Sequence, residues 1–463
     1  MQNIKSVLIT SIIIVSLIIP LIGIYLLYDP NIKFEITNYI ISITIFTIYQ
    51  SFLSALISLI VGSIFAYYLK KNSEIGIIKL IVNILSILFV MPTIIIVLGM
   101  LTFFNSFTNI YGPFGIVFCH VILNLPLATR IIYQSLNDIS GNEYILAKQM
   151  GLKKFETFLA TEWQIIKKNA PSLFVLIFFI CFVSFTPVLI LGGSPKYSTI
   201  EVSIYQSVVF LNNYNTAFYL LILQLLICSI IFFLTFKNFK SENFFLDDRK
   251  IYTKNKISFR NKLTDYSVII FISLTLFISP IAIFFKGINL KFFDVFSSDY
   301  FLSSLSDTFL ICVGSGMLSL LFTLNILQIL DKSKKSYEYL LYIFLVLSPG
   351  IVSVGYYVVI NNHLHLSVPS ILIVIVINSL FSLPFTYNYL SPSYFRVSRE
   401  HNDISGSLNI YGWKKTLLVD FPRLKVPIIN AFCISSVLSA SDLVIISFFG
   451  TNAVSYTHLT LPT

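Results

Sequence analysis

The chain has 463 residues, 56% of them hydrophobic and only 11% charged, with a mean hydropathy of +0.85. A soluble protein of this length cannot hide that much apolar surface, so a soluble globular fold is excluded. The net charge of +10 would fit a nucleic-acid binder, but the placement of the basic residues argues for a membrane topology signal and no nucleic acid.

Runs of about 20 apolar residues recur, each long enough to cross a hydrocarbon core roughly 30 Å thick. In chain order they fall near 7–28, 45–69, 77–104, 113–136, 171–191, 217–236, 266–286, 301–330, 337–361, 369–390 and 426–449. The expectation is eleven spans in an all-α polytopic membrane protein. The first run follows a single Lys5 and lacks a small-residue cleavage site, so it reads as a span and not a removed signal. With the N-terminus inside, all basic residues except Lys33, Lys196, Lys286 and Lys291 lie on the cytoplasmic face, a strong positive-inside bias. The five cysteines (Cys119, Cys181, Cys228, Cys312 and Cys433) sit in apolar runs without CxxC spacing. They read as small packing residues, neither disulfides nor metal ligands.

The polar stretch Lys237 to Asp265, with eight basic and four acidic residues, reads as a cytoplasmic linker. It separates a first half (1–236) from a second (266–453), followed by an atypical tail (454–463). A shift of 258 residues superposes the halves: Leu125-Pro126 falls on Leu383-Pro384, Leu146 on Ile404, Met150 on Leu408, Gly151 on Asn409, Glu162 on Asp420 and Lys167 on Lys425. Upstream, a shift of 257 brings Gln50-Ser51 onto Asp307-Thr308 and Pro92 onto Pro349. The charged segments of both copies fall on one side. The expected architecture is two tandem parallel repeats of about six transmembrane helices each, related by an axis along the membrane normal. Pro92, Pro126, Pro187, Pro349 and Pro384 lie in or at the ends of spans and mark bends or hinges.

Between two apolar runs stands "NEYILAKQMGLKKF" (Asn142 to Phe155). Glu143, Ala147 and Gly151 share one helical face at i, i+4, i+8, beside an apolar stripe of Leu146 and Met150. Such a helix has a side that can enter a partner's groove, although a polar segment between spans also serves simply as a loop. Gly151 supplies the left-handed conformation that stops a helix, and Asn409 is the next-best residue for it. Lys153-Lys154 with Phe155, Phe158 and Trp163 suits a second short helix at the membrane surface. Lys414-Lys415 with Trp413 and Phe421 repeats that pattern.

The pattern E-x-x-x-A-x-x-x-G followed by a basic–aromatic stretch resembles the EAA motif of permease subunits of bacterial ATP-binding cassette importers. In the second half His401, Ser405 and Asn409 hold the three places. Sequences such as "YGPFGIVFCHVILNLPLATRIIYQSL" (Tyr111 to Leu136), "CFVSFTPVLILGGSPKYSTIEVSIYQSV" (Cys181 to Val208) and "SASDLVIISFFG" are similar to the fused double permeases of the branch that serves thiamine and ferric iron, thiamine permeases above all. The resemblance covers most of residues 40 to 450. It implies that Glu143, Leu146, Ala147, Met150 and Gly151, with His401, Ile404, Ser405, Leu408 and Asn409, form coupling helices. These would dock two copies of an ATPase subunit on the inner face of a bacterial plasma membrane. It also implies an extracytoplasmic binding protein that delivers thiamine or a phosphate ester of it, ferric iron being the alternative cargo. The family pattern has a twelfth span; here "VSYTHLTLPT" follows the eleventh, which reads as a truncated frame with a non-native end.

No GxxxxGK[ST] loop is present, so ATP must be handled by a partner. An ion-coupled secondary transporter is the weaker rival, because intramembrane acids are sparse: Asp307 at the outer edge of a span and Asp442 deeper, in a structural or functional role. His363 and His365 join no HExxH or carboxylate cluster, and His120 suits packing or a helix–helix hydrogen bond. No catalytic set, metal site or cofactor is expected.

Overall fold

The computed structural model describes residues 2–27, 37–105, 107–137, 139–193, 196–236, 259–288, 292–330, 347–360, 369–407 and 421–449, together with 410, 414 and 418. Every regular element among them is a helix. The expected linker falls mainly on residues 237–258, outside the described residues, as do His363, His365, Leu408, Asn409 and the tail after Phe449.

Helix α2 (Asn38–Lys71) shows why these sequences form spans. Its buried residues are Ile40, Ile43, Thr47, Gln50, Ser51, Ser54, Ala55, Ser58, Gly62, Phe65, Ala66 and Leu69, a stripe at alternating spacings of three and four. The stripe is mostly small. A Cβ on Gly62 would lie 2.7 Å from the Cβ of Ala128 on α5 (Pro113–Asn137), so the two helices meet at close range. The opposite face carries exposed Ile41, Ile45, Ile48, Phe52, Leu56, Ile60 and Ile64. In water such a face would be an aggregation surface; in a bilayer it is the lipid contact. The hydroxyls on the buried face turn back to their own helix, Thr47 Oγ1 to the Ile43 carbonyl (2.7 Å) and Ser51 Oγ to that of Thr47 (2.6 Å).

Helix α2 packs on α5 and α8 (Glu162–Phe182). In the second half, after the short α13 (Phe292–Phe296), α14 (Asp299–Leu330), α16 (Ser370–Ser407) and α17 (Phe421–Ala440) pack in the same way. That second trio is tied by hydroxyls: Thr323 and Ser319 of α14 meet Thr386 of α16 at 2.6 and 3.2 Å, and Ser435 of α17 donates to Ser382 at 2.7 Å. The breaks recur as well. Helix α8 is followed by the short α9 (Thr186–Leu191), and α17 by α18 (Val444–Phe449), with both short helices starting and ending 258 residues apart.

Some of the eleven expected runs lie partly outside the described residues. Among the described residues eight helices are long and apolar enough to cross a membrane, or nine if one bent pair counts as a span. That pair is α3 (Gly76–Val90) and α4 (Thr93–Phe104), which meet at 103° across Met91-Pro92, where proline has no N–H to continue the ladder. The expected run 77–104 is therefore two helices. The expected run 337–361 lies outside the described residues before Leu347; its described remainder is α15 (Pro349–Tyr357), capped by Ser348. The fifth span begins at Glu162 and not near 171, carrying Pro171 inside it.

Two helices cross between the halves. Helix α1 (Gln2–Leu26) packs on α15, and α12 (Phe259–Gly287) on α4. A Cβ on Gly23 would fall on the backbone of Gly355, one on Gly355 on the backbone of Pro20, and one on Gly99 on the backbone of Ser279. Pro20 cannot donate to the Ser16 carbonyl one turn back; Tyr356 of α15 supplies a hydroxyl to that oxygen at 3.1 Å.

Candidate functional site: the Glu143–Gly151 helix and its anchorage

The stretch from Gly141 to Gln149 is a separate helix, α6, with Ser140 at its N-cap position, Glu143 in its first turn and Lys148 in its last. Both charges complement the helix dipole. It ends in a Schellman arrangement: the Leu152 N–H bonds to the Ala147 carbonyl and the Gly151 N–H to that of Lys148, both at 3.1 Å. Gly151 has φ +72°, which allows those bonds. Ala147 is buried against the protein, while Ile145, Leu146 and Met150 are 56%, 57% and 76% exposed. A nine-residue polar helix thus presents an unpartnered apolar ridge.

The ridge is held rigidly from behind. Lys70, at the end of α2, donates to the Tyr144 hydroxyl at 2.8 Å, and Tyr144 donates to Glu162 Oε1, at the start of α8, at 2.9 Å. Burial and the Glu162 carboxylate push the Tyr144 hydroxyl up from its ordinary value, so it stays a donor throughout the physiological range. Sequence reading missed these three residues because they come from separate elements; a Tyr inside the motif helix and a Glu eighteen residues later was the available signal. Tyr144→Phe is expected to cost about 1 kcal/mol, the net value of a typical hydrogen bond. Faster hydrogen exchange in α6, with α2 and α5 unchanged, would report it.

Beyond Gly151, α7 (Lys154–Ala160) starts with the Lys153 N–H on Glu156 Oε2 at 2.7 Å. Phe155 is exposed, and Phe158 packs edge-on to Tyr67 of α2 at 5.2 Å between centroids. Trp163 belongs to the first turn of α8 and not to α7.

The second copy is built differently. His401, Ile404 and Ser405 lie in the last turns of the 38-residue α16, with no break before them. His401 Nδ1 lies 3.2 Å from the Val397 carbonyl of its own helix. Ser405 is buried as Ala147 is, and the Ile410 N–H bonds to the Ser405 carbonyl at 2.9 Å, the counterpart of Leu152 to Ala147. At the same end of the bundle Lys71 pairs with Asp265 of α12 at 2.8 Å, so the start of α12 is fixed to α2. Helix α12 begins at Phe259, so the last residues of the expected linker are already helical.

Of the other singled-out residues, His120 is buried with Nε2 2.8 Å from Ser184 Oγ at the α8–α9 break. Asp442 holds the matching break, with Oδ1 accepting the Val444 N–H at 3.1 Å. Cys119, Cys181 and Cys228 are buried packing residues, whereas Cys433 is exposed on α17. The acid that sequence reading overlooked is Glu201, fully buried in α10 (Ile200–Val209).

Long lipid-facing helices, re-satisfied prolines and a short polar helix with an apolar ridge define a multi-pass, all-α membrane protein. Along nearly its whole length the chain is similar to proteins named thiamine transport system permease protein. It is 27% identical to that of Escherichia coli over 438 residues (89% of this chain, 81% of the relative). It is 26% identical to that of Haemophilus influenzae over 444 residues (89% and 81%) and to that of Brucella abortus over 459 residues (94% and 83%). No family model and no solved structure matches the chain.

Proposed function

We propose that this chain is the membrane permease of an ATP-driven importer of thiamine or a phosphate ester of it, and not itself an enzyme. The observation that carries this is the similarity to thiamine permeases over about nine-tenths of the chain. The ridge on α6 supports the coupling step: a cytoplasmic ATPase would take Leu146 and Met150 into a groove, with Glu143, Ala147 and Gly151 setting the helix that carries them. A second ATPase copy would engage the end of α16 around His401, Ile404, Ser405, Leu408 and Asn409. An extracytoplasmic binding protein would deliver the substrate to the opposite face. The N-terminus lies in the cytoplasm of a bacterial plasma membrane in this reading, which the positive-inside bias supports.

The recurrence of the three-helix unit and of the α8–α9 break supports two tandem halves. ATP binding and hydrolysis would rock them, with the path between them. Ferric iron is not favoured, since the relatives above are thiamine permeases by name. In a thiamine auxotroph lacking its own importer, the gene with its ATPase and binding protein is expected to restore growth on low external thiamine. Restoration of iron uptake with no effect on thiamine would overturn the assignment.

A further inference from the structure

Glu201 is buried, and its carboxylate receives three donors from two directions. Gln224 Nε2 of α11 (Tyr214–Phe236) and Ser348 Oγ both donate to Oε2, the latter at 2.8 Å, while the Gly350 N–H donates to Oε1 at 2.8 Å. The last two donors belong to the N-terminus of α15, some 150 residues downstream and beyond the linker. The Ser348 hydroxyl also accepts the Ile351 N–H at 3.2 Å, so Glu201 orients the side chain that caps α15. A Cβ on Gly350 would fall on Glu201 Oε1, so glycine there is what lets the carboxylate reach the backbone.

The helix that carries Glu201 is itself bolted to the first half. The Ile200 N–H bonds to Thr47 Oγ1 of α2 at 3.1 Å, and Ser203 Oγ lies 3.4 Å from the Tyr39 hydroxyl. One turn on, Tyr205 packs edge-on to Phe448 of α18 at 5.2 Å between centroids. Helix α1 grips the other side of α15 through Gly23 and Gly355. A carboxylate inside a bundle is costly unless fully hydrogen-bonded; this one is satisfied by the open end of α15 together with Gln224 of α11.

We propose that Glu201 is a positioning residue that clamps the N-terminus of α15 to α10, so that the helix after Pro349 moves as one body with the α2–α5–α8 unit. The mechanical boundary between the moving parts then differs from the boundary between the repeats: α15 belongs by sequence to the second half, where it packs on α18, while its N-terminus is held by α10 and its length by α1 of the first. Its functional arm rests on the transport reading above; its structural arm does not.

The test uses the full chain in nanodiscs, and cells carrying the complete importer. In Glu201→Ala, hydrogen exchange at Gly350 and Ile351 is expected to rise at least tenfold while amides of α2 and α5 stay as in wild type. Thiamine uptake is expected to lose at least tenfold in maximal rate with little change in the half-saturating concentration, because capture belongs to the binding protein. Glu201→Gln and Ser348→Ala keep the shape of the site and are expected to show smaller rises at the same two amides, which covers failure of the alanine variant to fold. Unchanged exchange at Gly350 and Ile351 in these variants would overturn the clamp, as would wild-type uptake in Glu201→Ala. If wild type itself takes up no thiamine, the transport reading fails and the exchange data still decide the clamp.

Discussion

Gly355→Leu is expected to prevent α15 from seating on α1 and to leave little folded protein after extraction. At Gly355 a Cβ would meet the Cα, carbonyl carbon and oxygen of Pro20, all backbone atoms, and the facing Gly23 is equally close to the Gly355 carbonyl. Overpacking against movable side chains costs about 1–3 kcal/mol. Here neither helix can yield by a rotamer change, so the expected loss is at least about 3 kcal/mol against a total stability of about 5–15 kcal/mol. Alanine at the same site meets the same backbone and is expected to be harmful as well. Tyr356→Phe separates packing from polarity: it keeps the close approach but removes the hydroxyl that donates to the Ser16 carbonyl. About 1 kcal/mol is expected from it, the net value of a typical hydrogen bond. Size-exclusion profiles and melting in detergent check all three. A monodisperse Gly355→Leu protein with wild-type melting would mean that α1 does not pack on α15 as described.

The spans were legible because hydropathy dominates their sequence: α2, α5, α11, α12 and α14 fall where the apolar runs fall. The stop at Gly151 was legible because left-handed backbone selects glycine, and its φ of +72° is what the residue type predicted. Breaks were harder. Pro92 announced a bend, but hydropathy runs through it unbroken, so one span was expected where two helices meet at 103°. Pro384, also expected to mark a bend or hinge, lies inside the continuous α16. For α10 there was no periodic signal to read, since its buried face surrounds nearly the whole helix: Ile200, Glu201, Val202, Ser203, Ile204 and Tyr205 are all buried. Glu201 was overlooked for that reason, and its donors are brought to it by packing that no local pattern encodes. The anchorage of α6 escaped in the same way, because Lys70, Tyr144 and Glu162 are neighbours only after α2, α6 and α8 assemble.

Leu146→Asp combined with Met150→Asp is expected to abolish capture of an ATPase at α6 while the permease remains inserted and folded. Both side chains are more than half exposed and make no contribution to the core, so the folding cost is expected within about 0.5 kcal/mol. Central apolar anchors of an interface typically cost at least about 2 kcal/mol each when lost. A buried, unpaired carboxylate adds to that. Together they predict a loss of affinity of more than a hundredfold, enough to remove the ATPase from a tagged permease during purification. Gly151→Pro probes the frame and not the surface. Proline fixes φ near −65°, whereas this position needs +72°, so α6 cannot close on Leu152 and the ridge loses its orientation. Copurification is expected to fall there too, with Leu146 and Met150 intact. The second copy refines the result. If the end of α16 forms an independent contact, the double aspartate variant retains one ATPase where wild type holds two, measurable by the mass of the complex. If binding requires both sites, it retains none. Two ATPases on the Leu146→Asp, Met150→Asp variant would end the docking assignment of α6.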